Sequence, residues 1–168
     1  LTGAQALGGL DRVTGFESFQ GRVIGSAQAD ILREGMFDYD AVFDTGNGND
    51  LVEVRDGTDV VNMGDGSDRL VINHGSQPSS TYLNGLLTGS FAEGYSGEYY
   101  ISGGYARTTF TGVEHFTIST AAGADTIVTG NGHDVISTWA GNDVITAGQG
   151  SDTIDGGVGT DALSIDLS

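Results

Sequence analysis

Aspartates and glycines at a fixed spacing are the residues of this sequence with the most to offer chemically. From Thr120 five nine-residue units follow without gaps: TAAGADTIV (120–128), TGNGHDVIS (129–137), TWAGNDVIT (138–146), AGQGSDTID (147–155) and GGVGTDALS (156–164). The fourth position is Gly123, Gly132, Gly141, Gly150 and Gly159; the sixth is Asp125, Asp134, Asp143, Asp152 and Asp161. The eighth is aliphatic throughout, Ile127, Ile136, Ile145, Ile154 and Leu163. An earlier set, TGNGNDLVE (45–53), VRDGTDVVN (54–62) and MGDGSDRLV (63–71), supplies Gly48, Gly57 and Gly66, then Asp50, Asp59 and Asp68. Carboxylates together with the carbonyls of a glycine-rich backbone are all-oxygen, hard donors. That chemistry suits Ca²⁺ at about 2.3–2.6 Å better than Zn²⁺, Cu²⁺ or strictly octahedral Mg²⁺.

A period of nine divides into a six-residue turn and a three-residue strand, too short to hold alone. It becomes stable when successive units stack and pair their backbones, two nonapeptides making one coil. Coils then lie about 4.8 Å apart, with the position-eight side chain turned into a thin core. Turn i falls beside turn i+2, so aspartates 18 residues apart become neighbours. This places Asp125, Asp143 and Asp161 on one edge, and Asp134 and Asp152 on the other. Asp50 then faces Asp68, and Asp59 faces Asp40. Carboxylates stacked so closely repel unless a cation lies between them.

The repeat, read across 25–73 and 120–166, resembles the RTX (repeats-in-toxin) family of calcium-binding nonapeptides. The resemblance implies Ca²⁺ held between adjacent turns by the position-six aspartates and loop carbonyls, with three sites in the second set and one to three in the first. It also implies export unfolded from a calcium-poor bacterial cytosol and folding outside. Trp139, Arg55 and Ala121 stand where the pattern has its second glycine, a departure from the ideal turn.

Composition narrows the classes. Net charge is -17, and all 6 basic residues are Arg. Such self-repulsion calls for cations in the folded state. With no basic stripe to displace phosphate counterions, nucleic acid is excluded as a partner, and an anionic membrane surface is disfavoured. There is no Cys, so neither disulfides nor thiolate sites exist. No apolar run near membrane-spanning length occurs. Glycine numbers 29 of 168 residues, which would fit a solvated linker but for the aliphatic column, a core phase that linkers lack. No EF-hand loop is present. His74, His115 and His133 sit in no HExxH or triad context, and the carboxylate pairs recur at every coil, so no catalytic centre is expected.

The fold expected is all-β: a parallel β-roll in two tandem repeat modules with a β-rich insert. The divisions are 1–73, a partly degraded first module; 74–119, the insert and leading strands; and 120–168, the second module. VTGFESF (13–19) recurs as FTGVEHF (110–116), and Glu17 and Glu114 within them are assigned structural roles. GSAQADILR (25–33) and GMFDYDAVF (35–43) keep Asp30 and Asp40 but lose the glycine column, so looser coils are expected there. The insert reads as a strand meander or hairpins, with Tyr82, Tyr95, Tyr99, Tyr100 and Tyr105 as a candidate glycan- or partner-binding face. The chain starts without Met and stops within a strand-like pattern, and is read as an internal piece of a longer secreted or cell-surface protein.

The function expected is a calcium-binding structural module that folds outside the cell. Two alternatives stand beside it. One is a non-catalytic scaffold attached to a secreted hydrolase or other enzyme. The other is an adhesin or surface-layer repeat that binds glycans or neighbouring copies through the tyrosine-rich insert.

Overall fold

The computed structural model describes residues 5–6, 12–16, 21–35, 40–75, 83–104 and 106–167. These are all strand, turn and loop; no helix occurs among them. The chain winds as a parallel β-solenoid, alternating between two sheets. One has seven strands in the spatial order Thr153–Asp155, Val135–Ser137, His115–Ser119, Arg69–Asn73, Leu51–Val54, Ile31–Glu34 and Arg12–Phe16. Each neighbouring pair in it is parallel. The opposite sheet has ten strands, from Gln5–Ala6 at one end to Ala162–Ile165 at the other.

Short strands suffice because each needs only one or two inward side chains. Val135–Ser137 buries Ile136 alone, and Leu51–Val54 buries Val52 and Val54. Stacking aligns these into columns. Leu32, Val52, Leu70 and Phe116 form one, and Val54, Ile72, Ile118, Ile136 and Ile154 form its neighbour. Across the core run Val23, Phe43, Val61 and Phe110. Fully burying such a side chain contributes about 1.5–3 kcal/mol, so each added coil deepens the core by a few residues' worth. At the last described coil Leu163 is left exposed, with no further coil described over it.

The insert is a three-stranded antiparallel meander, Leu83–Ser90, Gly94–Ile101 and Ala106–Val113. Its third strand stacks in parallel on Gly57–Asn62 and thus continues the solenoid. The other two are extra rungs in the ten-stranded sheet, with no counterpart opposite. Tyr99 fills the space this creates. It is fully buried, stacks on Phe110 at 5.6 Å and meets Phe116 edge-on at 6.0 Å. Its hydroxyl donates to the Val128 carbonyl at 2.5 Å, tying the meander to the first coil beyond it. Tyr95 lies over Gly130, where a Cβ would come within 2.0 Å of its ring, and its hydroxyl accepts the Asn131 N–H at 2.8 Å.

The expected tyrosine face is therefore corrected. Tyr95 and Tyr99 are core residues because their rings plug the wedge, and Tyr100 is the exposed tyrosine among those described. Tyr82 and Tyr105 lie outside the described residues, as does Glu17.

Candidate metal centre

Each turn between sheets places its position-six aspartate just before the next strand, where the chain bends inward. There Oδ1 accepts the backbone N–H of the residue stacked one coil earlier. Asp50 N–H donates to Asp68 at 2.8 Å, Asp125 to Asp143 at 2.8 Å, Asp134 to Asp152 at 3.0 Å and Asp143 to Asp161 at 3.0 Å. The structure thus brings together the pairs expected 18 residues apart. Asp30 joins the same column across a 20-residue coil, its N–H donating to Asp50 at 2.7 Å.

One pairing differs. Asp59 accepts from Ala41 N–H at 3.0 Å, while the exposed Asp40 accepts from Thr58 at 2.8 Å. The first coils are slipped by one residue, so Asp40 and Asp59 do not face each other as expected.

The second oxygens matter most. Oδ2 of Asp68 and of Asp143 is buried with no hydrogen-bond partner among the described residues, while the Thr45 and Thr129 hydroxyls lie beside the carboxylates of Asp50 and Asp134. Leaving a buried acceptor unsatisfied costs about 1–3 kcal/mol, more when it is charged. Asp125 is different: its Oδ1 accepts from Leu83 N–H at 2.6 Å and its Oδ2 from the Thr120 hydroxyl at 2.5 Å. Asp152 is half-buried and Asp161 exposed at the end of the described coils.

Burial raises four of these carboxyls. Asp68 is pushed up to about 7, chiefly by desolvation, opposed by the Asp50 N–H and reinforced by the Asp50 and Glu114 charges. Asp125 rises to about 6 for the same first reason. Asp50 and Asp134 also shift upward, again chiefly through desolvation.

The position-four glycines stack in register with the aspartates. A Cβ on Gly66 would stand 1.7 Å from the Gly48 carbonyl oxygen; on Gly141, 1.9 Å from that of Gly123; on Gly150 and Gly159, 1.5 Å from those of Gly132 and Gly141. Carbonyls on the turn edge thus point along the solenoid axis into the next turn, beside the aspartate column. Among the described residues no three His, Asp or Glu side chains converge as a metal cluster. A cation here would draw on backbone carbonyls beside one or two carboxylates, a donor set that fits Ca²⁺ and not Zn²⁺.

Sequence reasoning gave Glu114 a structural role without its contact, and missed two further contributors. Glu114 takes the aspartate's place at the meander, its Oε2 accepting Asp68 N–H at 2.8 Å. Beyond it the column steps sideways: Asp134 accepts from Phe116 N–H at 2.8 Å, and Phe116 is level with Leu70, two residues past Asp68. Arg69 bridges this step, donating to Thr117 Oγ1 at 3.0 Å and to the His133 carbonyl at 2.9 Å. Position five carries a ladder of its own. Nδ1 of His115 accepts His133 N–H at 2.9 Å, and Nδ1 of His133 accepts Ser151 N–H at 3.0 Å, the two rings stacked 5.6 Å apart. Asn49 and Asn142 make the same bond with Oδ1. An acceptor at position five in consecutive coils was the available signal.

Stacked nonapeptide turns with paired aspartates and glycine carbonyls at each edge define a parallel β-solenoid. Residues 37–70, 117–145 and 140–163 match the RTX calcium-binding nonapeptide repeat in four copies, and these stretches are such repeats. No curated protein matches the chain. No helix among the described residues is long and apolar enough to cross a membrane.

Proposed function

We propose that this chain is a calcium-dependent structural module of a secreted or bacterial cell-surface protein, folding when Ca²⁺ binds outside the cell. The observation that carries this reading is the pair of buried Oδ2 atoms on Asp68 and Asp143 that have no partner among the described residues. Each aspartate holds the adjacent coil through Oδ1 and keeps Oδ2 for another partner. Bound Ca²⁺ would supply the positive charge that these oxygens and the -17 net charge lack. Ligands that are far apart in the unfolded chain meet only in stacked coils, so binding free energy becomes folding free energy. Extracellular modules typically bind at about 10⁻⁴–10⁻³ M, which leaves such sites empty in a cytosol and filled outside.

The assigned ligands are Asp50, Asp68, Asp134, Asp143, Asp152 and Asp161, with carbonyls from Gly48, Gly66, Gly123, Gly132, Gly141, Gly150 and Gly159. Asp59 and Asp125 are weaker members, the first in a slipped coil and the second already satisfied by protein donors. The reading is non-catalytic, and the module can equally serve as scaffold to an enzyme elsewhere in a longer protein. The adhesin reading keeps less of its basis: of the tyrosines it names, Tyr95 and Tyr99 are buried, Tyr100 is exposed, and Tyr82 and Tyr105 lie outside the described residues.

Equilibrium dialysis with radioactive calcium tests the assignment. Saturable binding of several ions per chain, reduced by Asp134→Asn and Asp143→Asn, is expected. A chain that takes up no calcium at millimolar concentration contradicts it.

A further inference from the structure

Trp139 occupies a backbone position that its own chemistry disfavours. It is the one non-glycine residue with positive φ among those described, at +53°, where its column-mate Gly157 stands at +72°. An L-residue in this left-handed region is strained, and strain of this kind persists only where the surrounding structure holds it, most often at functional sites. The side chain gains little from the core in return: Trp139 is 66% exposed, the most exposed aromatic among the described residues. It is also the only tryptophan in the chain.

The ring borders an open groove of about 220 Å³ lined by Gly75, Ser119, Thr120 and Ser137. Ser119 and Ser137 belong to one outward row of the seven-stranded sheet, Asn73, Ser119, Ser137 and Asp155, in direct register. Stacking spaces such a row by about 4.8 Å. The Thr120 hydroxyl is engaged with Asp125, but the Ser119 and Ser137 hydroxyls take no side-chain hydrogen bond among the described residues. Val135–Ser137 is paired on both sides, so no free strand edge is offered for a peptide to extend.

The geometry points to a saccharide site on this face: Trp139 is the platform for the C–H face of one pyranose ring, and Ser119, Ser137 and Asn73 meet its hydroxyl rim. An exposed ring supplies apolar contact with a polar rim beside it, the combination that orients an amphipathic ligand. The net charge of -17 and the neighbouring Asp155 select a neutral sugar over an acidic one. The groove's size suits one ring, so a longer glycan would lie along the row with further rings over Asn73 or Asp155. The site depends on the stacked roll, which in the proposed function is held by calcium.

Trp139 fluorescence reads the site without a label. The calcium-loaded chain is titrated with cellohexaose, maltohexaose, mannohexaose and laminarihexaose, with a hexagalacturonate as charged control. A saturable blue shift with at least one neutral hexasaccharide is expected. Calorimetry with Trp139→Gly should then show binding about tenfold weaker or lost, with the circular dichroism of the calcium-loaded chain kept and a calcium midpoint no higher than that of the parent; Ser137→Ala should weaken it about fivefold. No shift with any neutral sugar, preference for the charged control, or equal binding by Trp139→Gly overturns the assignment. Dichroism in chelator separates the two readings: a chain folded without calcium that still binds the sugar contradicts the calcium proposal and leaves this one standing.

Discussion

The backbone N–H of Asp125 donates to Oδ1 of Asp143, 18 residues along the chain, at 2.8 Å, while Oδ2 of Asp143 is buried with no hydrogen-bond partner among the described residues. One carboxylate thus does two jobs. Asp143→Asn keeps an acceptor for the Asp125 N–H and removes the charge, so it should raise the calcium midpoint about tenfold while preserving the folded spectrum at high calcium. Asp143→Ala removes both functions and should in addition lower the melting temperature of the calcium-loaded chain. Asp125→Asn should move the midpoint less than Asp143→Asn, because Thr120 and Leu83 already satisfy its carboxylate. Calcium titrations of the three variants by circular dichroism check the ranking.

Gly150 and Gly104 both have positive φ, +141° and +77°, yet their replacement by Ala should differ sharply. A Cβ on Gly150 would stand 1.5 Å from the Gly132 carbonyl oxygen, whereas none of the described residues brings an atom within 4 Å of one on Gly104. Gly104→Ala should lose only the backbone preference, about 1 kcal/mol. Gly150→Ala must push two coils apart and should unstack the C-terminal repeats. Thermal melts in saturating calcium, with hydrogen exchange at 147–165, distinguish the two outcomes.

The raised carboxyls invert the usual response to acid when calcium is absent. Asp68 lies at about 7 in the folded chain against an ordinary 3.8, and Glu34, buried beside Asp59 and Asp56, at about 8 against 4.5. Between the ordinary and the raised values the folded state binds more protons than the unfolded one, so metal-free stability falls as pH rises through this window. In chelator, β-structure should therefore grow as pH is lowered from 8 toward 5. With calcium present the trend reverses in affinity, since protons compete for the same oxygens, and the midpoint should move to higher calcium on acidification. Dichroism titrations at pH 8, 7 and 6 measure both trends.

Tyr99 holds the meander to the coil beyond it. Tyr99→Phe keeps the stacking on Phe110 but removes the hydroxyl that reaches the Val128 carbonyl, and should cost about 0.5–1.5 kcal/mol. Tyr99→Ala opens a cavity between meander and repeats and should cost about 3–5 kcal/mol. Denaturant melts in saturating calcium give both values.

Trp139→Gly is expected to stabilise the chain. Relief of a left-handed non-glycine residue is worth about 1–2 kcal/mol, a rise of a few degrees in melting temperature for a chain of this length. A scan of the calcium-loaded variant reads it directly.

The coil architecture was legible because its signal is periodic. Asp and Ile recur at fixed positions from 120 to 164, and that spacing alone pairs Asp125 with Asp143 and puts Ile127 beside Ile145. Where the period breaks, legibility ended. Asp30 and Asp50 are 20 residues apart, and Asp59 meets Ala41, because the early coils carry extra residues that no repeat count places. The meander's strands were readable from their β-branched and aromatic runs. The inward direction of Tyr95 and Tyr99 was not, since it follows from two rungs present in one sheet and absent from the other. Glu114 shows the same limit: its longer side chain reaches Asp68 N–H only because the meander's third strand returns to the stack just before it.

Far-UV circular dichroism of the purified chain during a calcium titration, with magnesium as control, tests the central claim most directly. The account predicts a cooperative passage from coil to β-structure with calcium alone, its midpoint near millimolar and shifted upward by Asp143→Asn. A chain already folded in chelator at pH 8, with a spectrum unchanged by calcium, would contradict it: the repeats would then stack without metal, and the unpartnered aspartate oxygens would need another explanation.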